Sequence, residues 1–331
     1  MRITMNSQAT IYQRNIFDLQ ERTDAESVRI STGKNYQRLS ESPKSVVDIQ
    51  RLSSLIDRNS LYRGGLAEAG EELTHTESVL ENFSYNLSEV RRLALESQTV
   101  ANSDKLPVLG QQVYQLLQDM ISTGNANYGG KYLFGGTKTT DGSITPTPPA
   151  VSTRPFELTQ SAPNPSNPSG LSVVFQGNND DRIINRTPAE AERINVRSAD
   201  VFGGSGTEVF DTVVELYNVL SFRADGSLRT SSDPFTHDES AKTQNLVRKL
   251  SNNMSTITVE TGKVGYRSAR FDAIAQQIDE DNIRLKEFRS QQEDTNIPEA
   301  ALKLKREQNA LDYSLKIGSQ LFTQSLFDFL R

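Results

Sequence analysis

The residues best suited by type and spacing to chemistry lie in the stretch NYGGKYLFGGTKTTDG, Asn127 to Gly142, where glycines and two lysines crowd together. Such a mixture could cradle a phosphate. A phosphate loop, however, needs a glycine, four residues, then Gly-Lys-Ser/Thr, so that backbone N–H groups ring the anion and the lysine reaches it. Gly129 and Gly130 precede Lys131 with no earlier glycine at that distance, and Gly135 and Gly136 are followed by Thr137 before Lys138. A dinucleotide fingerprint would close a strand and open a helix, whereas the residues before this stretch read as helical. Gly129, Gly130, Gly135 and Gly136 are therefore expected to supply tight turns.

Other reactive groupings are sparse. Asp180-Asp181 follows the turn residues of GNNDDR without the spacing of a calcium loop, so a solvated turn is the expectation. Asp279-Glu280-Asp281 reads as an exposed helix face. His75 and His237 are the sole histidines and stand in unrelated segments, and cysteine is absent, which removes disulfides, thiolate catalysis and Cys-based zinc sites together. No catalytic residue, cofactor or metal ligand is predicted. The tyrosines and phenylalanines beside the glycines could stack on bases, but no basic surround accompanies them, and packing is the expectation.

The chain has 331 residues, 24% of them charged, and a net charge of −6. That length allows two or three domains, and the acidic balance offers no footprint for nucleic acid. Protein partners are expected. The opening MRITMNSQATIYQRN lacks the apolar core of a secretory signal, and no run approaches the length of a membrane span. Either a cytosolic protein or one exported without a cleaved signal fits; a thiol-free chain suits passage in an unfolded state.

The elements that would position these residues are mostly helices. From Ser42-Pro43, an N-cap serine and first-turn proline, to about Val100, Leu52, Asn59, Leu66, Leu73, Leu80, Leu87 and Ala94 recur every seven residues. Leu55, Tyr62, Ala69, Thr76, Phe83 and Val90 interleave with them. This three-four alternation is a coiled-coil stripe. A helix over this segment would reach about 85 Å at ~1.5 Å per residue. A shorter helix follows Pro107 and ends near Gly124, and a second long seam, Leu250 through Leu285, predicts a helix from Asp238 to Glu293. Between them, proline-, serine- and threonine-rich residues cannot be helical. Leu171 to Phe175, Ile183-Ile184 and Ile194 to Val196 then read as short strands in hairpins.

At the ends, Met5, Ala9, Tyr12, Ile16, Leu19, Thr23 and Ile30 line one helix, and Leu304, Leu311, Leu315, Phe322 and Phe329 line another. Lone short helices are marginal in water, so these two are expected to pair with each other and with neighbouring copies. The candidate assembly residues are Met5, Tyr12, Ile16, Leu19, Leu311, Leu315, Phe322, Leu326 and Phe329. The predicted fold is mainly α: an elongated rod of long coiled-coil-like helices, both termini at one end, with a small β-rich insertion. Its expected segments are terminal helix 1–42, helical arm 43–135, β-rich module with linker 136–206, helical arm 207–295 and terminal helix 296–331.

The motifs RISTGKNYQRLSESP at Arg29 to Pro43, NANYGGKYLFGGTKT at Asn125 to Thr139, VGYRSARFD at Val264 to Asp272 and the closing LDYSLKIGSQLFTQSLFDFLR, together with the opening MRIT, resemble those of the flagellar hook-associated proteins of the FlgL type. The resemblance covers both arms and the turn-out, somewhat over half the chain. It implies an extracellular structural subunit of the bacterial flagellum, exported unfolded through the type III export apparatus with a chaperone. Such a subunit assembles as a ring at the hook-filament junction, between the proximal hook-associated protein and flagellin. A flagellin filament subunit is the nearest alternative, and a cytosolic coiled-coil scaffold or chaperone a further one. An enzyme would need polar side chains converging around Phe175 to Asn185.

Overall fold

The computed structural model describes residues 5–36, 40–99, 104–187 and 190–329, with side chains at all of these except 5–9, 186–187 and 321–329. The helices are α1 (Met5–Thr32), α2 (Pro43–Glu96), α3 (Leu106–Gly124), α4 (Ser198–Phe202), α5 (Glu208–Ser221), α6 (His237–Glu293) and α7 (Ile297–Phe329). Among the described residues six short strands lie between α3 and α4: β1 (Asn127–Tyr128), β2 (Lys131–Tyr132), β3 (Phe156–Gln160), β4 (Leu171–Phe175), β5 (Ile183–Thr187) and β6 (Glu190–Arg193). The chain divides into two compact units, one formed by residues 1–60 with 278–331 and the other by residues 61–277.

In the 61–277 unit the seven-residue repeat does what its period dictates. Leu66, Leu73, Leu80, Leu87 and Ala94 are fully buried on α2, and Leu250, Ile257, Val264 and Phe271 are fully buried on α6. The two helices run antiparallel: Thr74 Oγ1 and Ser268 Oγ lie 2.9 Å apart, the Ser268 hydroxyl also reaches the Gly70 carbonyl, and Arg91 Nε donates to Ser251 Oγ at 2.9 Å. Small residues set the closest approach, since a Cβ on Gly265 would meet the Glu77 carboxylate at 2.7 Å. Apolar side chains fully buried in this way contribute about 1.5 to 3 kcal/mol each.

The middle of the unit is organised around phenylalanines rather than around a sheet. Phe83, Phe134, Phe156, Phe202 and Phe210 form a cluster with ring centroids 4.8 to 5.5 Å apart, several of them edge-on, the arrangement that aromatic quadrupoles favour. α3 packs on α5, and β3 packs on α3 while β4 packs on α5. Asn125 fastens the end of α3 to β3 by exchanging two side-chain hydrogen bonds of 2.8 Å with the backbone of Phe156. Among the described residues the strands form three separate antiparallel pairs, β1-β2, β3-β4 and β5-β6. Leu171 to Phe175 is a strand as its pattern predicts. Ile194 to Val196 is not: the strand there is Glu190–Arg193, and Val196 turns inward to be buried ahead of α4.

In the other unit α1 packs along α7. The end of α1 is closed by Gly33 at a φ of 69°, whose N–H donates to the Arg29 carbonyl, and the chain then pairs with the link between α6 and α7. The Asn35 N–H donates to the Glu293 carbonyl at 2.7 Å, the Thr295 N–H to the Gly33 carbonyl at 2.8 Å, and Lys34 Nζ to Asp294 Oδ1 at 2.8 Å. The Lys34 ammonium and the Ser290 hydroxyl hold the Asp294 carboxyl below its usual range.

Candidate assembly surface and the glycine hairpin

Tyr128 and Lys131 pair across Gly129 and Gly130, whose φ values of 57° and 77° give the two-residue hairpin loop that only glycine adopts without strain. The hairpin lies on α2: Tyr128 donates its hydroxyl to Glu71 at 2.8 Å, the Lys131 ammonium meets Glu68 at 3.2 Å, and the His75 ring stacks obliquely on Tyr128. Glu71 in turn pushes the Tyr128 phenol above its ordinary pKa. Gly136, at φ 67°, fits against the loop before β5, where a Cβ would lie 2.1 Å from the Asn178 carbonyl oxygen. Asn178 completes the joint by accepting from the Thr137 N–H at 2.8 Å and donating to Thr137 Oγ1 at 2.7 Å. Gly135 does not need a positive φ; a Cβ there would strike the Lys138 carbonyl. The four glycines and Lys131 thus close turns and a surface ion pair.

Asp180 and Asp181 are not simply solvated. Asp181 forms two hydrogen bonds with Arg197, at 2.9 and 2.6 Å, and lies 3.6 Å from Arg193, and the Arg197 guanidinium holds its carboxyl below the usual range. Asp180 accepts from Asn178 Nδ2 at 2.7 Å. Next in sequence, Arg182 forms a bidentate pair with the buried Glu72 at 2.7 and 2.8 Å. Asn179, Asp181 and Arg182 therefore fasten the start of β5 to α2 and to the start of α4. Among the described residues no group of three or more histidines or carboxylates is placed to hold a metal ion, and no helix is long and apolar enough to cross a membrane.

On the terminal helices, Tyr12, Ile16 and Leu19 are half-buried on the face of α1 that meets α7, and Leu311 is half-buried opposite. Tyr12 donates its hydroxyl to the Ser314 carbonyl at 2.7 Å and lies over Gly318, where α7 has no side chain to obstruct it. Leu315 sits on the flank, 49% exposed. The side chains of Met5, Phe322, Leu326 and Phe329 lie outside the described residues. A second set of apolar residues was missed by reading the dominant stripe alone. Phe17 (67% exposed) and Val28 on α1, with Leu302 and Tyr313 (69% exposed) on α7, point away from the α1-α7 contact. Their signal in the sequence is an eleven-residue spacing on each helix, 17 to 28 and 302 to 313, three turns on one face.

Paired terminal helices, long antiparallel seams and hairpins laid on α2 define a class: this is the fold of the flagellar hook-associated proteins of the FlgL type. It is shared with a putative flagellar hook-associated protein from Vibrio parahaemolyticus, at a TM-score of 0.60 and 16% identity over 77% of this chain and 100% of that one. Flagellar hook associated protein-3 from Legionella pneumophila superposes at 0.56 with 11% identity, covering 72% of this chain and 97% of the other. A flagellar junction protein FlgL from the same organism gives 0.52 with 13% identity over 75% and 100%. No family model and no curated protein matches the sequence.

Proposed function

We propose that this protein is a structural subunit of the bacterial flagellum that assembles with copies of itself at the hook-filament junction, by means of its terminal helices. The observation that carries the reading is the division of labour on α1 and α7 within a fold shared with hook-associated proteins. Tyr12, Ile16, Leu19 and Leu311 close the helix pair inside each copy, while Phe17, Val28, Leu302 and Tyr313 leave apolar surface for a neighbour. Burying such side chains contributes about 1.5 to 3 kcal/mol each, so the terminal pair becomes stable as copies add. Partners of the assembled ring are the proximal hook-associated protein on one side and flagellin on the other, and delivery is through the flagellar export apparatus, with a chaperone before export.

The test is complementation of a strain lacking the gene. Phe17→Glu with Tyr313→Glu, and separately Phe322→Ala with Phe329→Ala, should leave the 61–277 unit folded yet abolish incorporation at the hook tip, with filament subunits released into the medium. Normal filaments with both double variants would remove the terminal helices as the assembly surface. Wild-type protein absent from isolated flagella would overturn the reading itself.

A further inference from the structure

We infer that neighbouring copies also meet side by side through the 61–277 unit, the exposed acidic stripe of α2 in one copy seating on the exposed basic stripe of α6 in the next. This rests on the flagellar assembly reading above and names one of its interfaces. The charges on the two helices are segregated by sign. Residues 64–90 of α2 hold Glu68, Glu71, Glu72, Glu77, Glu81 and Glu89 with no lysine or arginine. Residues 240–271 of α6 hold Lys242, Arg248, Lys249, Lys263, Arg267 and Arg270 against Glu260 alone.

Packing α2 against α6 within one 61–277 unit does not cancel this asymmetry, because the hydrogen bonds between them there are made by hydroxyls, a carbonyl and Arg91. Part of the charge is met elsewhere. Glu72 pairs with Arg182 and Glu68 with Lys131, Lys242 and Lys249 pair with Glu215, Lys263 pairs with Glu260, and Arg270 pairs with Glu192. Glu89 is engaged by Arg92. The rest is left over: among the described residues Glu71, Glu77, Glu81, Arg248 and Arg267 have no opposite charge within ion-pair distance. Arg248 contacts the Asn245 amide, and Arg267 donates to the Asn195 and Arg193 carbonyls.

Each stripe has the same build with the sign reversed. On α2, Glu81, Tyr85 and Glu89 follow at four-residue steps, with Tyr85 65% exposed. On α6, Val259, Lys263, Tyr266 and Arg270 share a face at three- and four-residue steps, with Arg248 eleven residues before Val259 on the same face, and Val259 is 53% and Tyr266 71% exposed. Gly262, on that face, has open space where a Cβ would stand, which lets another helix come close. The occupant that fits is a second copy of this chain, because one 61–277 unit presents both complementary stripes. Joined head to tail, such contacts are heterologous and close into a ring or climb as a helix. Exposed ion pairs are individually weak, so the charges set partner and register while the tyrosines supply the contact.

The absence of cysteine makes the test direct. Full-length Glu81→Cys and Lys263→Cys chains, one cysteine in each, are co-expressed in the strain lacking the gene and treated on isolated flagella with a short bismaleimide, so that a bridge between positions 81 and 263 can form only between copies. A cross-linked dimer is expected from the mixture, and either chain alone should give none. In parallel, Glu81→Lys or Lys263→Glu alone should lower incorporation about tenfold, and the two reversals combined in one chain should restore it. These positions are at the surface, and circular dichroism of the purified variants confirms folding. Both chains present at the hook tip without the cross-linked dimer, or reversals that leave incorporation unchanged, would overturn the lateral contact while leaving the flagellar reading intact. Absence of even the wild-type chain from flagella would overturn both.

Discussion

Gly136 and Lys131 stand five residues apart in the stretch that first suggested phosphate chemistry, and they should respond to substitution very differently. Gly136→Ala must place a methyl group against the Asn178 carbonyl at a positive φ, so a loss of about 1 to 3 kcal/mol is expected in urea unfolding. Gly33, also at positive φ but with open space around it, should cost only about 1 kcal/mol as alanine. Lys131→Ala removes one exposed ion pair and should change stability by less than about 1 kcal/mol. Equal losses at Gly136 and Lys131 would mean that the lysine does more than pin a hairpin. Asp233 offers a test by pH. The Thr230 backbone N–H and hydroxyl, with Arg223, hold its carboxyl at about 2 against an ordinary 3.8. A depressed folded pKa gives stability that is complete above about pH 4 and lost as pH falls through 2. Thermal melts from pH 5 to 2 should therefore fall less steeply for Asp233→Asn than for the wild type.

At the scale of elements, the β-strands matter less than the helices they lie on. Phe210 of α5 touches Phe83 of α2, Phe156 of β3 and Phe202 of α4, so one ring joins four elements. Phe210→Ala should cost about 3 to 5 kcal/mol in the unfolding of the 61–277 unit, because a rigid cluster cannot collapse into the space left. A cost below about 1 kcal/mol would show that the hairpins, and not the aromatic cluster, hold the middle together. Arg182 and Glu72 make the same argument with charge. Arg182→Met strands a buried carboxylate, for an expected loss of about 3 to 5 kcal/mol, whereas replacing both residues by apolar ones should recover much of it.

Over the whole molecule, stability is expected to be uneven. The α2 and α6 seams bury leucines, valines and phenylalanines turn after turn, with Thr76 and Ser268 among them, whereas the stripe between α1 and α7 is half-buried, with Ala300 and Gly318 the buried positions on the described part of α7. Hydrogen exchange on the free subunit should show amides of residues 10–30 and 300–320 exchanging at least tenfold faster than those of 66–94 and 246–271. Limited proteolysis should trim residues 1–34 and 301–331 first. Uniform protection along the chain would contradict both the reading of marginal terminal helices and the idea that association completes them.

The sequence by itself determined the helices. A three-four apolar period sustained over many turns allows one regular structure, and Ser42-Pro43, Pro107 and Gly124 punctuate it, so α2 begins, and α3 begins and ends, within a few residues of where those signals stand. The turns at Gly129-Gly130 and the strand at Leu171 to Phe175 were legible for the same reason: their cause is local. Tertiary structure decided what depends on residues far apart. That Asp181 meets Arg197 and not only water, that Glu72 meets Arg182 110 positions later, and that five phenylalanines from five segments share one cluster cannot be read from spacing. It decided as well which face of each terminal helix is spent inside the copy. A stripe tells how much apolar surface a helix must bury but not against what: Tyr12 lies on the dominant stripe and Phe17 beside it, and only the position of α7 shows that the first closes the pair while the second stays exposed.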